Sequence, residues 1–344
     1  MTLSVGLIGA GGIGGTHAEN LRNTEDAVLV AVCDLDRERA EEVASVGDAP
    51  DAGDSTEDAA GTDVSDADAA VYEDHQTMLE TEELDAVYVT TPPRARVDIL
   101  ADVARSGAGI FCEKPLAATV EDGRRIVEIV EEYEVPFTVG FCLRYAEPLQ
   151  RLREIVSDGT IGEPINFFTS RAGWGVPSGD NWRVDPGQTC GITIESTSHH
   201  LDLLRWLGGE IASASGRTTG FTHPELEAFD DNMVASVAFE SGAIGSIRNS
   251  WTSHVEGFRH GVVGTEGTVV AEGDGWWRID RLECVTESGE GDLAVEFDEE
   301  TATDMGYRGE TAAFVECVAT GAEPSVGVRD GLRALELSYE ILES

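Results

Sequence analysis

Leu3-Ser-Val-Gly-Leu-Ile-Gly9-Ala-Gly11-Gly12-Ile13-Gly14 runs a short apolar strand straight into a G-x-G-x-x-G turn, and a helical stretch follows to Leu21. The glycines of such a turn serve different ends. One permits the tight reversal, one lets a pyrophosphate approach the backbone, and one lets helix pack on strand. The helix N-terminus adds free N–H groups and the positive end of its dipole. Gly9, Gly11, Gly12, Ile13 and Gly14 are therefore candidate dinucleotide contacts. The spacing alone is weak evidence, and its surroundings supply more. A second apolar run, Ala27–Asp34, ends on an acid 25 residues after Gly9. A carboxylate there accepts bonds from both ribose hydroxyls and repels a 2′-phosphate, which favours NAD. Arg37, three residues on, leaves NADP open.

Strand and helix patterns keep alternating. A helix is expected over Arg37–Val46, then strand Leu84–Thr91 closed by Pro92-Pro93, helix Val97–Ser106, strand Gly109–Cys112, helix Val120–Tyr133 and strand Val135–Phe141. This rhythm predicts a parallel sheet covered on both faces. The texture then changes. Helical patterns at Pro148–Ser157 and Glu195–Leu207 precede alternating runs at Asn232–Glu240, Ala243–Trp251, Gly261–Gly264, Thr268–Glu272 and Trp276–Thr286. Hairpin-like runs of this kind predict antiparallel pairing, and helices around Glu310–Thr320 and Asp330–Leu342 close the chain. The expected class is α/β: a Rossmann doubly wound sheet over residues 1–141, then an α+β domain with an open, mostly antiparallel sheet over 142–344.

The net charge of −43 over 344 residues excludes a nucleic-acid or other polyanion-binding surface by sign. Regular strand and helix patterns argue against disorder. What remains is a surface that stays hydrated where high salt screens self-repulsion, as in a salt-adapted proteome. The run Gly47–Asp68 is expected to be an acidic surface loop. No apolar run approaches the roughly 20 residues of a membrane helix. The N-terminus has no basic flank or cleavage-like site, and six dispersed cysteines lack any C-x-x-C pair. A cytoplasmic location with buried, reduced thiols is the expectation.

The basic residues carry a sharper clue. Of 23, all but Lys114 are arginine. A chain that keeps one lysine uses what arginine lacks, a compact ammonium that exchanges its proton more readily than a guanidinium. Lys114 lies in Phe111-Cys112-Glu113-Lys114-Pro115, at the carboxyl end of a strand, where ligands bind in doubly wound sheets. Thr90-Thr91-Pro92 ends another strand on the same edge, although Thr90 also suits a plain strand terminator. Glu113 joins Thr90, Thr91 and Pro92 as a candidate cofactor contact.

The second constellation is Glu195-Ser-Thr-Ser-His199-His200-Leu201-Asp202. Spacings of four and three place Glu195, His199 and Asp202 on one side of a helix. A general base held by a carboxylate, a zinc ligand set and a plain buried histidine all fit this spacing.

Taken together, these residues resemble the glucose–fructose oxidoreductase/inositol dehydrogenase family (Gfo/Idh/MocA). Beyond the glycine turn, the resemblance rests on Glu113-Lys114-Pro115, Gly140-Phe141…Arg144-Tyr145, Ile161-Gly162-Glu163-Pro164, Asn181-Trp182-Arg183, the His199…Asp202 helix and Tyr307…Glu310…Phe314. It implies an NAD(P)-dependent dehydrogenase acting on a sugar or inositol-like polyol, with homodimers or homotetramers formed through the C-terminal sheet. It implies that Lys114 steadies the substrate oxygen, that His199 takes its proton and that Glu195 assists, with no metal. Arg144, Trp182, Arg183, His200 and Asp202 become candidate substrate contacts. The same family also implies two rivals: NAD-dependent glycosidases and NAD-binding regulators without turnover. Three departures stand out. Arg96 replaces a usual histidine, Cys142 a usual asparagine, and Gln188-Thr-Cys190-Gly191 a usual glycine triplet.

Overall fold

A computed structural model describes residues 2–45, 68–179, 181–185, 188, 190–227 and 229–344. The acidic run expected as a loop lies outside the described residues except for Asp68. In the first part the strands are β1 (Leu3–Ile8), β2 (Ala27–Cys33), β3 (Ala70–Tyr72), β4 (Ala86–Val89), β5 (Gly109–Cys112) and β6 (Phe137–Val139). All pair in parallel, in the order β3-β2-β1-β4-β5-β6. Helices α1 (Gly12–Arg22), α2 (Arg37–Ala44), α3 (His75–Thr81), α4 (Arg96–Ser106) and α5 (Val120–Tyr133) connect them. The order reverses between β1 and β4, and the carboxyl ends of strands at such a switch point form a crevice for ligands.

Local chemistry explains the helix starts. Asp36 caps α2 by accepting from the N–H groups of Glu38 and Arg39, and Thr119 caps α5 by accepting from Asp122 N–H. The strands read as near-continuous apolar runs because helices cover both faces; β4 and β5 are buried at every position.

The second part contains α6 (Glu147–Ser157), β7 (Pro164–Trp174), α7 (Gly191–Glu195), α8 (Thr197–Gly208), β8 (Ile211–Thr219), β9 (Asn232–Phe239), β10 (Ile244–Ser250), β11 (Thr252–Gly264), β12 (Gly267–Gly273), β13 (Arg281–Thr286) and β14 (Leu293–Glu296). The strands form one eight-stranded sheet, β14-β13-β12-β11-β7-β10-β9-β8, antiparallel at every pair except β7 with β10. One face packs on the helices through Phe167, Val237, Ile247, Phe258 and Val262. On strands β9, β10 and β13 the alternate positions Val234, Ile244 and Val285 are exposed. Helices α9 (Glu299–Thr303), α10 (Tyr307–Thr320) and α11 (Val328–Glu343) follow. The last two return to the first sheet: Phe314 of α10 meets the stacked pair Tyr88 and Phe111 edge-on, at ring centroids of 5.3 and 5.6 Å. Burying a ring of this size contributes about 1.5–3 kcal/mol.

Three differences from the sequence expectations have physical reasons. Strand β7, central in its sheet, shows no clear alternation because both its faces mix polar and apolar residues: Phe167, Thr169 and Arg171 inward, Asn166, Phe168 and Ser170 outward. Trp276–Thr286 is not one strand, since β13 starts only at Arg281. Trp276 instead lies against Gly173 and Gly175, where a Cβ would sit 1.9 and 2.4 Å from its indole. The helix expected over Glu195–Leu207 is broken at Ser196, which separates α7 from α8.

Candidate functional site

The glycine turn is shaped as a cradle. Gly9 sits at φ +106°, and a Cβ on Gly14 would meet Gly9 O at 2.1 Å, so helix and strand are in direct contact. Among the described residues a Cβ on Gly11, Gly12 or Gly15 would meet nothing within 4 Å, and no side chain caps the N-terminus of α1. Open space beside free N–H donors is what a pyrophosphate requires. Asp34 is held at the end of β2, with Oδ2 accepting from Ala10 N–H at 2.7 Å and Oδ1 from Asp36 N–H at 2.9 Å. The residues present fit a dinucleotide. Arg37 is tied to Glu41 at 2.9 Å and faces solvent. Thr90 donates to Gly9 O at 2.5 Å, bracing the turn, and Ile13 lies within α1. Pro92 leads into a short 3-10 turn, and the Thr91 hydroxyl is buried with no partner among the described residues.

Glu113 lies beneath this edge, 3 % exposed, paired with His17 at 2.9 Å. Burial works against its ionisation, but the His17 hydrogen bond, then the charges of His17, Lys114 and Arg96, hold its carboxyl below the usual range. Glu310 is fully buried beside it with neither oxygen partnered among the described residues. Burial and then the Glu113 charge push Glu310 well above the usual carboxylate range. His17, Glu113 and Glu310 offer three ligand atoms within 4.8 Å of one another. Arg96, one of the departures, is also interior. It donates to Thr91 O at 2.7 and 2.9 Å and to the carbonyls of Glu113 and Pro115, clamping the loop that carries Lys114.

Lys114 points at the α7–α8 junction. Its Nζ is 3.0 Å from Glu195 Oε1 and 3.2 Å from Glu195 O. Arg183 reaches the same Oε1 at 2.5 Å and stacks its guanidinium over Trp182. Burial opposes the Glu195 charge, but Arg183 and then Lys114 outweigh it and hold the carboxyl far below its usual range. Glu195 thus turns to two cations, and among the described residues no hydrogen bond joins it to His199. His199, 3 % exposed on α8, packs near Trp277 and Phe141, its Nδ1 without a partner among the described residues. Burial, then the charges of Lys114 and Arg171, push its pKa well below 6.5.

The structure does not bring the remaining candidates together in the same way. Asp202 is 1 % exposed and spent on Arg144, at 2.8 and 2.5 Å; Arg144 also donates to Ser325 O. His200 is fully buried against Phe258 and His260. Sequence reasoning missed Arg171, Trp276 and Trp277 here. Arg171 lies on the inner face of β7, its carbon 4.2 and 4.3 Å from the Trp276 and Trp277 rings, bonded to Ser196 Oγ at 3.0 Å. The one available signal was a tryptophan pair beside a basic strand residue, and these lie about a hundred residues apart in the chain.

Residues 3–141 match the family model described as an oxidoreductase family with an NAD-binding Rossmann fold, and residues 149–270 match the GFO/IDH/MocA C-terminal domain. The chain is 29% identical to the myo-inositol 2-dehydrogenase of Thermotoga maritima, covering 99% of this chain and 96% of that protein. It is 30% identical to the NAD-dependent scyllo-inositol 2-dehydrogenase of Bacillus subtilis, covering 98% and 92%. An oxidoreductase from Agrobacterium radiobacter, solved with NAD+, L-tartaric acid and magnesium, shares the fold at TM-score 0.83 and 19% identity, over 100% of this chain and 96% of that one.

Proposed function

This chain belongs to the Gfo/Idh/MocA oxidoreductase family, and from that premise we propose that it is a sugar or cyclic-polyol dehydrogenase whose chemistry centres on Lys114, Glu195 and His199. The observation that carries this reading is the placement of the only lysine. It stands at the carboxyl edge of the Rossmann sheet, held at 3.0 Å by a buried carboxylate, close enough to His199 for its charge to lower that imidazole's pKa. Gly9–Gly14 and Asp34 would hold NAD, which would supply the hydride acceptor. His199 removes the proton of the substrate hydroxyl as the adjacent carbon gives up hydride. Lys114 Nζ donates to the substrate oxygen throughout, which steadies the charge that develops on it. Glu195 positions Lys114 and Arg183 rather than moving a proton itself. Formation of NADH with inositols or aldoses tests the reading, and no NADH from any sugar or cyclic polyol overturns it.

A base must be neutral, and His199 is neutral above its lowered pKa. The acidic limb of kcat/KM, which reports free-enzyme groups, is therefore expected below pH 6.5. Glu195, held far below the usual carboxylate range by Arg183 and Lys114, stays ionised around neutral pH. A limb at or above pH 6.5 would remove His199 from this role.

The charge of −43 supports a salt-adapted surface. Melting temperature is expected to fall on dialysis from molar to low salt, and a flat profile argues against adaptation. The exposed apolar positions of the eight-stranded sheet support association through it. Light scattering in molar salt that reads a monomer sinks that part.

A further inference from the structure

The site holds more positive charge than its own residues neutralise. Lys114 and Arg183 both contact the single carboxylate Glu195, and Arg171 is bonded to Ser196, the next residue. Glu113 is taken up with His17, and His199, Tyr307 and Cys142 are all held in their neutral forms, His199 by a lowered pKa and the other two by raised ones. Among the described residues no carboxylate lies within ion-pair distance of Arg171. Buried Arg96 also lacks one, but four bonds to backbone carbonyls satisfy it, whereas Arg171 makes only two hydrogen bonds among the described residues and keeps donors to spare in a chain with 66 acidic side chains. Burial lowers Arg171 to about 10, and the distant Glu195 only partly offsets this. The Trp276 and Trp277 indoles meet the flat of the guanidinium, and along its edge Nε donates to Trp276 O at 3.3 Å and Nη1 to Ser196 Oγ at 3.0 Å, which leaves Nη2 and the second N–H of Nη1 as the direction for a partner. An in-plane fork of this kind matches a planar carboxylate.

Resting on the dehydrogenase reading above, we infer that the substrate is an acidic sugar, a polyol bearing a carboxylate that Arg171 receives while its hydroxyl meets Lys114 and His199. Gly173 and Gly175 belong to the same device, because only their missing side chains let Trp276 lie under Arg171. The register of β7 places Arg171 beside Asn249 and Phe258, and the Trp277 ring meets both the Arg171 guanidinium and the His199 imidazole.

The test measures kcat/KM and tryptophan quenching with NAD+ present for D-glucuronate, D-glucose, myo-inositol and glucose 6-phosphate. The enzymes are wild type, Arg171→Gln and Arg171→Lys. Wild type is expected to prefer glucuronate to glucose by about 100-fold, the ratio collapsing in Arg171→Gln and recovering in part in Arg171→Lys. Preference for glucose or myo-inositol overturns the inference, as does an equal loss on acidic and neutral substrates in Arg171→Gln. Preference for glucose 6-phosphate overturns the carboxylate assignment. Glucuronate that quenches tryptophan through Arg171 without forming NADH upholds the acidic-ligand inference and defeats the dehydrogenase reading instead.

Discussion

Replacing Lys114 with arginine is expected to lower NADH formation by about a thousandfold while leaving NAD binding nearly intact. The substitution keeps the charge and uses the residue that this chain prefers everywhere else. What it removes is a compact donor whose N–H bonds can meet Glu195 Oε1, Glu195 O and a substrate oxygen at once. A guanidinium is wider, and Arg183 already occupies one side of the same carboxylate, with Arg96 clamping the loop beneath. The proposed NAD contacts lie in the Gly9–Gly14 cradle, so cofactor affinity, read by fluorescence titration, separates lost chemistry from a displaced loop. Turnover that survives Lys114→Arg makes the lysine incidental.

Arg144→Met is expected to cost about 3–5 kcal/mol of stability, because it strands a buried carboxylate. Asp202 is 1 % exposed and accepts two bonds from Arg144, which also donates to Ser325 O and stands 3.4 Å from Asp330. Burial already pushes the Asp202 carboxyl up, and Arg144 is the chief force holding it down. Without Arg144, Asp202 must take up a proton or unfold its surroundings. The double change Arg144→Met with Asp202→Leu removes both charges and should recover much of the loss, a pattern that urea unfolding of wild type and both variants would reveal. If Arg144→Met instead melts like wild type and raises KM alone, the pair is a substrate contact.

The cofactor half was legible in the sequence because its signals are local. A strand, a glycine turn and a helix start occupy adjacent residues, and Asp34 follows at the end of the next strand. Lys114 was legible for a different reason, its rarity. The substrate half was legible only as residue types. Helical spacing put Glu195, His199 and Asp202 on one side, yet Ser196 breaks the helix, and Glu195 and Asp202 turn to Lys114 and Arg144. Periodicity reports which way a side chain leaves its helix and says nothing of the partner that claims it.

From sequence alone came the parallel-then-antiparallel class, the dinucleotide turn, the acid that favours NAD, the lone lysine and the salt-adapted charge expectation. Each depends on neighbours along the chain or on composition, which a sequence states outright. Only the tertiary structure decided that Glu113 serves His17, that Arg96 clamps the lysine loop, and that Arg171 rests on two tryptophans beside His199. The partners in these contacts come from separate elements, far apart along the chain, and burial sets their charges. Desolvation and counter-charge belong to a place in space, and only the folded chain creates that place.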